Sequence, residues 1–195
     1  MSVKIGVMAI QGDFREHKEM LQALGAQVVE VRLPEDLEGL SGLIVPGGES
    51  TTIGMLAREY GLEEAVRARV QADSLAVWGT CAGAIWLAKH IPQYPDQPRL
   101  GSLDIAIQRN GYGRQVDSFE ADLQVEGLKG PFHAFFIRAP LILNVGSEVE
   151  VLAKYANDPV LVRSGGLWAS TFHPELSGDT RIHGLFIESL ATRQG

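Results

Sequence analysis

Ser74-Leu75-Ala76-Val77-Trp78-Gly79-Thr80-Cys81-Ala82-Gly83-Ala84-Ile85-Trp86-Leu87-Ala88-Lys89 is the stretch that decides the fold of this chain. Its first five residues form an apolar run of strand length, and its last six read as a helix. Between them, Gly79-Thr80-Cys81-Ala82-Gly83 is a Gly-x-Cys-x-Gly turn, the cysteine form of a nucleophile elbow. So sharp a strand-to-helix turn forces unusual dihedrals and leaves no room for neighbouring Cβ atoms, which accounts for the glycines. The helix start offers free N–H groups and the positive end of a dipole, and both favour a thiolate. Taken alone, the cysteine reads equally well as a small buried hydrophobe. Its partners decide.

Outward from the elbow, the chain alternates strand and helix. Residues 4–10 are a near-continuous apolar run, the pattern of a parallel strand covered on both faces. Asp13 is placed to cap a helix running to about Leu24, with Phe14, His17, Met20, Leu21 and Leu24 at helical spacing. Gly25 ends it. Residues 27–31 and 43–45 are further strands, the second stopped by Pro46-Gly47-Gly48. Ser50, Thr51 and Thr52 offer caps for a helix through Ala57, continuing after Gly61 to about Gln71. The pattern predicts an α/β fold, a mostly parallel sheet with helices on both faces. Such sheets place their sites beyond the carboxyl ends of the strands, where Gln11, Gly47-Gly48 and Cys81 fall together.

The middle of the chain differs. A Pro-rich loop at 91–98 is followed by short β-like segments at 105–108, 119–125, 134–137, 149–155, 160–163 and 168–171. These predict an antiparallel extension of the main sheet, and residues 180–192 a closing helix. No repeat, low-complexity tract or linker interrupts the sequence, so residues 1–195 read as one domain. A net charge of −7 counts against a nucleic-acid surface, which needs a basic patch. The single cysteine closes no internal disulfide, so a reducing compartment fits and the cytoplasm is the expected location. The apolar N-terminal stretch stops at Gln11-Gly12-Asp13 without a small-residue cleavage site, and is read as a strand rather than a leader. Nothing approaches the length of a membrane span.

One histidine has a companion in a useful arrangement, in His173-Pro174-Glu175. Pro174 pushes His173 toward extended geometry, where residues i and i+2 project to one side. The carboxylate can then hold one imidazole nitrogen and leave the other facing a nucleophile. The alternative is a plain polar turn. His17 has Glu19 two residues on, but in a helix that pair points to nearly opposite faces. His90 reads as a cation near a helix end, and His133 and His183 as structural or surface residues. Gly47-Gly48-Glu49-Ser50-Thr51-Thr52 reads, by itself, as a phosphate cradle or a capped loop, though without a Walker lysine. Beside an acyl-transfer nucleophile its natural use is an oxyanion hole, formed by the Gly48 N–H and the Ala82 N–H. No metal is called for, since no Cys pair, HExxH or EF-hand pattern occurs, and no cofactor is expected.

Gly47-Gly48-Glu49-Ser50, Gly79-Thr80-Cys81-Ala82-Gly83 and His173-Pro174-Glu175, in this order, resemble the class I (triad) glutamine amidotransferases. Gln11-Gly12, Arg109-Asn110, Gly113-Arg114-Gln115-Val116-Asp117-Ser118-Phe119-Glu120 and Phe136-Ile137-Arg138-Ala139-Pro140 narrow the likeness to the glutaminase subunits of pyridoxal 5′-phosphate synthase. The resemblance spans nearly the whole chain. It implies a flavodoxin-like sheet and hydrolysis of L-glutamine to glutamate and ammonia by Cys81, His173 and Glu175. It implies that the ammonia passes to a (β/α)₈-barrel synthase subunit. It also implies that Gly47, Gly48, Glu49, Arg109, Ile137 and Arg138 bind the glutamine. Charge alone does not pick Arg109 over Arg114. A cysteine hydrolase or peptidase on a related fold, and a binding module that has lost its chemistry, stay open at this stage.

Overall fold

The computed structural model describes residues 3–113 and 117–193, so Arg114-Gln115-Val116 of the quoted motif lie outside the described residues. In chain order the elements are β1 (Lys4–Met8), α1 (Phe14–Ala23), β2 (Gln27–Val31), β3 (Gly42–Val45), α2 (Ser50–Glu59) and α3 (Leu62–Gln71). Next come β4 (Ala76–Thr80), α4 (Ala82–Leu87), β5 (Ala88–His90), β6 (Leu103–Gln108), β7 (Ser118–Leu123) and β8 (Phe132–Ile137). The chain closes with β9 (Leu141–Val145), β10 (Glu150–Tyr155), β11 (Asp158–Ser164), β12 (Leu167–Ser170) and α5 (Arg181–Arg193).

Seven strands make one sheet in the order β10-β11-β12-β4-β3-β1-β2. The five from β12 to β2 are parallel, and at one edge β11 runs antiparallel to both of its neighbours, β12 and β10. The period-2 geometry of a strand sends neighbours to opposite faces. Along β3, Leu43 and Val45 join a core with Ile53 of α2, Val66 of α3 and Trp86 of α4. Ile44 joins the opposite core with Leu21 of α1 and Ile182 and Phe186 of α5. Both faces are therefore covered, which is why β3 is buried and carries no polar side chain at any position rather than at alternate ones. Trp78 of β4 is wholly buried, with Phe186 and Trp168 at ring-centroid distances of 5.5 and 6.5 Å.

The structure corrects several sequence expectations. Only β10 and β11 extend the main sheet in the antiparallel sense, since β12 returns parallel to β4. The remaining short strands form two separate sheets, β5-β6-β9 and β7-β8. The helix expected through Lys89 ends at Leu87, because Ala88 turns extended and pairs with Leu103. His90 is thus an exposed strand residue. Asp13 occupies the N-cap position of α1 but makes no capping bond. The cap of α2 is Glu49, whose carboxylate accepts from the Thr51 and Thr52 amides at 3.2 and 2.7 Å. Among the described residues, no helix is long and apolar enough to cross a membrane.

Candidate active site

Cys81 sits directly between β4 and α4 with φ 51° and ψ −104°, a region that non-glycine residues rarely occupy. Its amide is tied to the Ser170 carbonyl at the end of β12, at 2.8 Å. The two elbow glycines are required by close approach. A Cβ at Gly83 would overlap the Val45 carbonyl, and one at Gly79 would overlap the Gly83 backbone. Two more non-glycine residues with positive φ, Asn110 and Arg138, line the same cavity as Cys81. Strain of this kind persists only where the surroundings enforce it, and it concentrates at sites.

His173 is anchored by its amide to the Phe135 carbonyl of β8, at 2.8 Å. Pro174 then opens a short 3₁₀ turn, Pro174–Leu176, so His173 and Glu175 meet in a tight turn and not along the expected extended segment. His173 Nδ1 lies 2.7 Å from Glu175 Oε1, and both side chains are buried. Gly47 fits against this pair: a Cβ there would stand 2.6 Å from His173 Cε1 and 3.5 Å from the Cys81 Cβ. Burial, the largest influence on His173, works against its charged form. Hydrogen bonds to Cys81 and Glu175, together with the attraction of both groups, outweigh it and raise the imidazole pKa to about 10. The ring is therefore poised as an imidazolium beside the sulfur.

The cavity holds about 300 Å³ and is lined by Cys81, His173, Gly48, Ala82, Ile137 and Arg138, together with Glu49, Arg109, Asn110 and Asp13. Such a volume sits at the small end of ligand pockets, roughly 300–1,000 Å³. Gly47 backs the cavity without lining it. The Cys81 thiol points to the Ile137 carbonyl, 3.8 Å away. Gly48 is pressed against Gln11, whose Oε1 accepts the Glu49 amide at 2.9 Å. Glu49 and Arg109 pair with each other at 3.1 Å. Burial alone would raise the Glu49 pKa, but bonds from Thr52 and Thr51 and the charge of Arg109 lower it. Arg109 also reaches Thr51 and Gln97 at 3.1 and 2.9 Å and stacks over Tyr94. The Pro-rich loop thus braces the site through Gln97, whose amide also reaches Ser50 at 2.9 Å. Nothing in that loop's composition had marked it.

Asp13, His173 and Glu175 bring ligand atoms within 4.8 Å of one another, but His173 Nδ1 is already engaged by Glu175. The cluster is part of the same grouping of His173 and Glu175 beside Cys81. Spacing along the sequence does not reveal that His17 and His183 meet behind Glu175. Both are wholly buried, with His17 Nδ1 2.9 Å from His183 Nε2 and His17 Nε2 3.3 Å from Glu175 Oε2. The available signal was the place of His17 on the apolar stripe of α1, where a buried imidazole needs a polar partner. That partner is distant in sequence, and spacing cannot name it.

The sequence model of the SNO glutamine amidotransferase family matches residues 7–192. A pyridoxal 5′-phosphate synthase subunit PdxT of Thermus thermophilus is 65% identical over 184 residues, 94% of this chain and 96% of its own. The PdxT subunit of Deinococcus radiodurans is 54% identical over 187 residues, covering 94% and 95% of the two chains. A crystal structure of a glutamine amidotransferase superposes with a TM-score of 0.93 at 62% identity, covering 96% of this chain and 98% of that one. A GMP synthase protein of Thermoplasma acidophilum, at 19% identity and a TM-score of 0.70 over 100% and 96% of the two chains, shares the fold.

Proposed function

The chain belongs to the SNO glutamine amidotransferase family and is a glutaminase subunit of pyridoxal 5′-phosphate synthase; we propose that Cys81, His173 and Glu175 are its catalytic triad, within one domain spanning 1–195. The observation that carries this reading is the convergence at one cavity of a strained cysteine and a glutamate-held imidazole. The Cys81 thiolate attacks the carboxamide carbon of L-glutamine, and the carbonyl oxygen takes the electron pair. The amides of Gly48 and of Ala82, the first residue of α4, hold that oxyanion. As the intermediate collapses, the C–N bond breaks and the His173 proton passes to the departing nitrogen, releasing ammonia.

A thioester remains, and the sulfur no longer carries charge. The attraction that raised His173 is then reduced, so the neutral ring can take a proton from water. The resulting hydroxide attacks the thioester, the C–S bond breaks, and glutamate leaves with Cys81 restored as thiolate. Glu175 orients the ring throughout. Gly47, Gly48, Glu49, Arg109, Ile137 and Arg138 form the glutamine subsite. Arg109 suits the α-carboxylate and Glu49 the α-ammonium, so the ion pair between them exchanges for the substrate's zwitterion. The partner that receives the ammonia is a (β/α)₈-barrel synthase subunit, and the reaction is placed in the cytoplasm with no nucleic acid or membrane involved.

The test is glutamate release from glutamine by this chain, alone and with the synthase subunit. We expect strong activation by the partner, with none in Cys81→Ser. Docking of the partner is expected to set the Gly47-Gly48 peptide so that the Gly48 N–H faces the oxyanion, and equal rates with and without the partner would defeat that expectation. Activity surviving in Cys81→Ser would defeat the triad.

A further inference from the structure

A second polar chain runs behind the triad through an otherwise apolar core. Glu175 Oε1 is held by His173, whereas Oε2 is buried and without a hydrogen bond. His17 Nε2, on α1, stands 3.3 Å from that oxygen and 3.1 Å from Thr80 Oγ1. His17 Nδ1 stands 2.9 Å from His183 Nε2 on α5, and His183 Nδ1 has no partner. Trp78 packs against both rings, at centroid distances of 6.1 and 5.0 Å. The groups facing His17 are therefore His183, Thr80, Glu175 and, beyond the carboxylate, His173.

Burial first, then the charges of His183 and His173, keep His17 neutral, and burial lowers His183 to about 3. Each ring thus carries one proton, and two arrangements compete. With the His17 proton on Nδ1, it donates to His183 Nε2. The His183 proton must then sit on Nδ1, where nothing accepts it, and His17 turns a lone pair toward the carboxylate. With the His17 proton on Nε2, it faces Thr80 Oγ1 with Glu175 Oε2 beside it at 3.3 Å, and His183 Nε2–H donates to His17 Nδ1. That leaves one bare acceptor nitrogen and no orphaned N–H. A buried orphan donor beside an unmatched carboxylate oxygen is the costlier state.

We infer that His17 is a positioning residue of the glutaminase: its Nε2 edge, held by Thr80 and with its tautomer fixed by His183, backs Glu175 Oε2 at 3.3 Å and keeps that carboxylate pointed at His173. The inference rests on the triad reading. The experiment uses the chain in complex with its synthase subunit. His17→Leu lowers kcat for glutamine about 10- to 100-fold, the rate equivalent of one hydrogen bond to a charged group, with KM unchanged. His17→Gln places an amide N–H where Nε2 was and restores kcat. His17→Asn replaces only the edge facing His183 and does not. A merely space-filling role would not rank Gln above Asn. A Leu variant with wild-type kcat, or Asn rescuing as well as Gln, overturns the inference. If the Leu variant does not fold, the Gln and Asn variants decide between them. Cys81→Ala, measured alongside, separates the readings: residual glutaminase activity there defeats the triad, while an inert Cys81→Ala with wild-type His17 variants defeats only the role of His17.

Discussion

Two histidines in this protein each sit against carboxylates at nearly the same distance, and only one belongs to the site. His173 Nδ1 is 2.7 Å from Glu175 Oε1. His133 Nδ1 is 2.7 Å from Asp122 Oδ1, and its Nε2 is 2.8 Å from Glu120 Oε2. Both imidazole pKa values are raised: His133 chiefly by its hydrogen bonds to Asp122 and then Glu120, and His173 by its bonds to Cys81 and Glu175 against the opposing effect of burial. Neither distance nor pKa tells the two apart. What differs is the surroundings. The His173 pair is buried beside a strained thiol and a cavity, whereas His133 stands exposed on the β7-β8 hairpin with both nitrogens occupied by acids. In a dry pocket a charge interaction has no competing solvent, and on a hairpin face water screens it.

The widest separation between the two pairs comes from removing carboxylate charge without changing volume. Glu175→Gln should lower kcat by about 10³- to 10⁴-fold, because an amide there favours the wrong imidazole tautomer. Glu120→Gln and Asp122→Asn should leave kcat within about twofold, since nothing reacts near them. Steady-state glutamine hydrolysis by the complex reads all three. Comparable losses in the hairpin variants would erase the distinction drawn from burial.

A backbone change tests the same contrast at lower amplitude. Gly47→Ala sets a methyl 2.6 Å from His173 Cε1, closer than real Cβ contacts come, so the ring must shift. A displacement of this size is expected to cost about 100-fold in kcat. Thermal unfolding should show a loss of about 1–3 kcal/mol, the usual range for overpacking. Full activity in Gly47→Ala would mean that the ring position is not enforced.

Next in size is the acid side of the stability curve. His17 and His183 are buried as neutral rings, with folded pKa values held below the usual histidine value of about 6.5. Above that value neither state binds the proton and stability is unaffected. As pH falls from about 6.5 toward the folded value, the unfolded chain takes up protons that the native rings refuse. Each ring then costs about 1.4 kcal/mol per pH unit. His173 has its pKa raised and does not offset this: its contribution is complete below about 6.5 and is lost only as pH rises toward about 10. Urea unfolding midpoints from pH 6.5 to 4.5 read the slope, and His183→Phe should roughly halve the part due to this pair. A variant slope equal to wild type would show that the pair does not exclude protons.

The sequence made the arrangement of the site legible where local geometry dictates it. The elbow needs two glycines around Cys81, Pro174 fixes the backbone ahead of Glu175, and an unbroken apolar run announces a strand covered on both faces. It was mute where contact is made across the fold. His17 was set aside because Glu19, its neighbour in sequence, points elsewhere, although its true partners lie on β4, α5 and the 3₁₀ turn at Glu175. His133 reads from the sequence as a structural or surface residue, and nothing near it in the chain shows that Asp122 is its cross-strand neighbour in register. Gln97 sat in a loop with no motif and turned out to brace Arg109 and Ser50. Spacing along the chain reports on one element at a time, and these contacts each join two.

The smallest effect is expected at His133 itself, and it is the one most easily mistaken for function. A raised pKa means the folded state holds the proton more tightly than the unfolded chain. Any stabilisation is therefore present in full below about pH 6.5 and fades as pH rises through the folded value. The ring and both acids are more than half exposed, so salt and water screen the attraction. His133→Gln should therefore shift the urea midpoint at pH 5.5 only slightly in low salt and not measurably in about 0.5 M sodium chloride, with glutamine turnover unchanged at either. A midpoint shift that survives high salt would mean that the hairpin pair is shielded after all, and that exposure does not separate the two histidines.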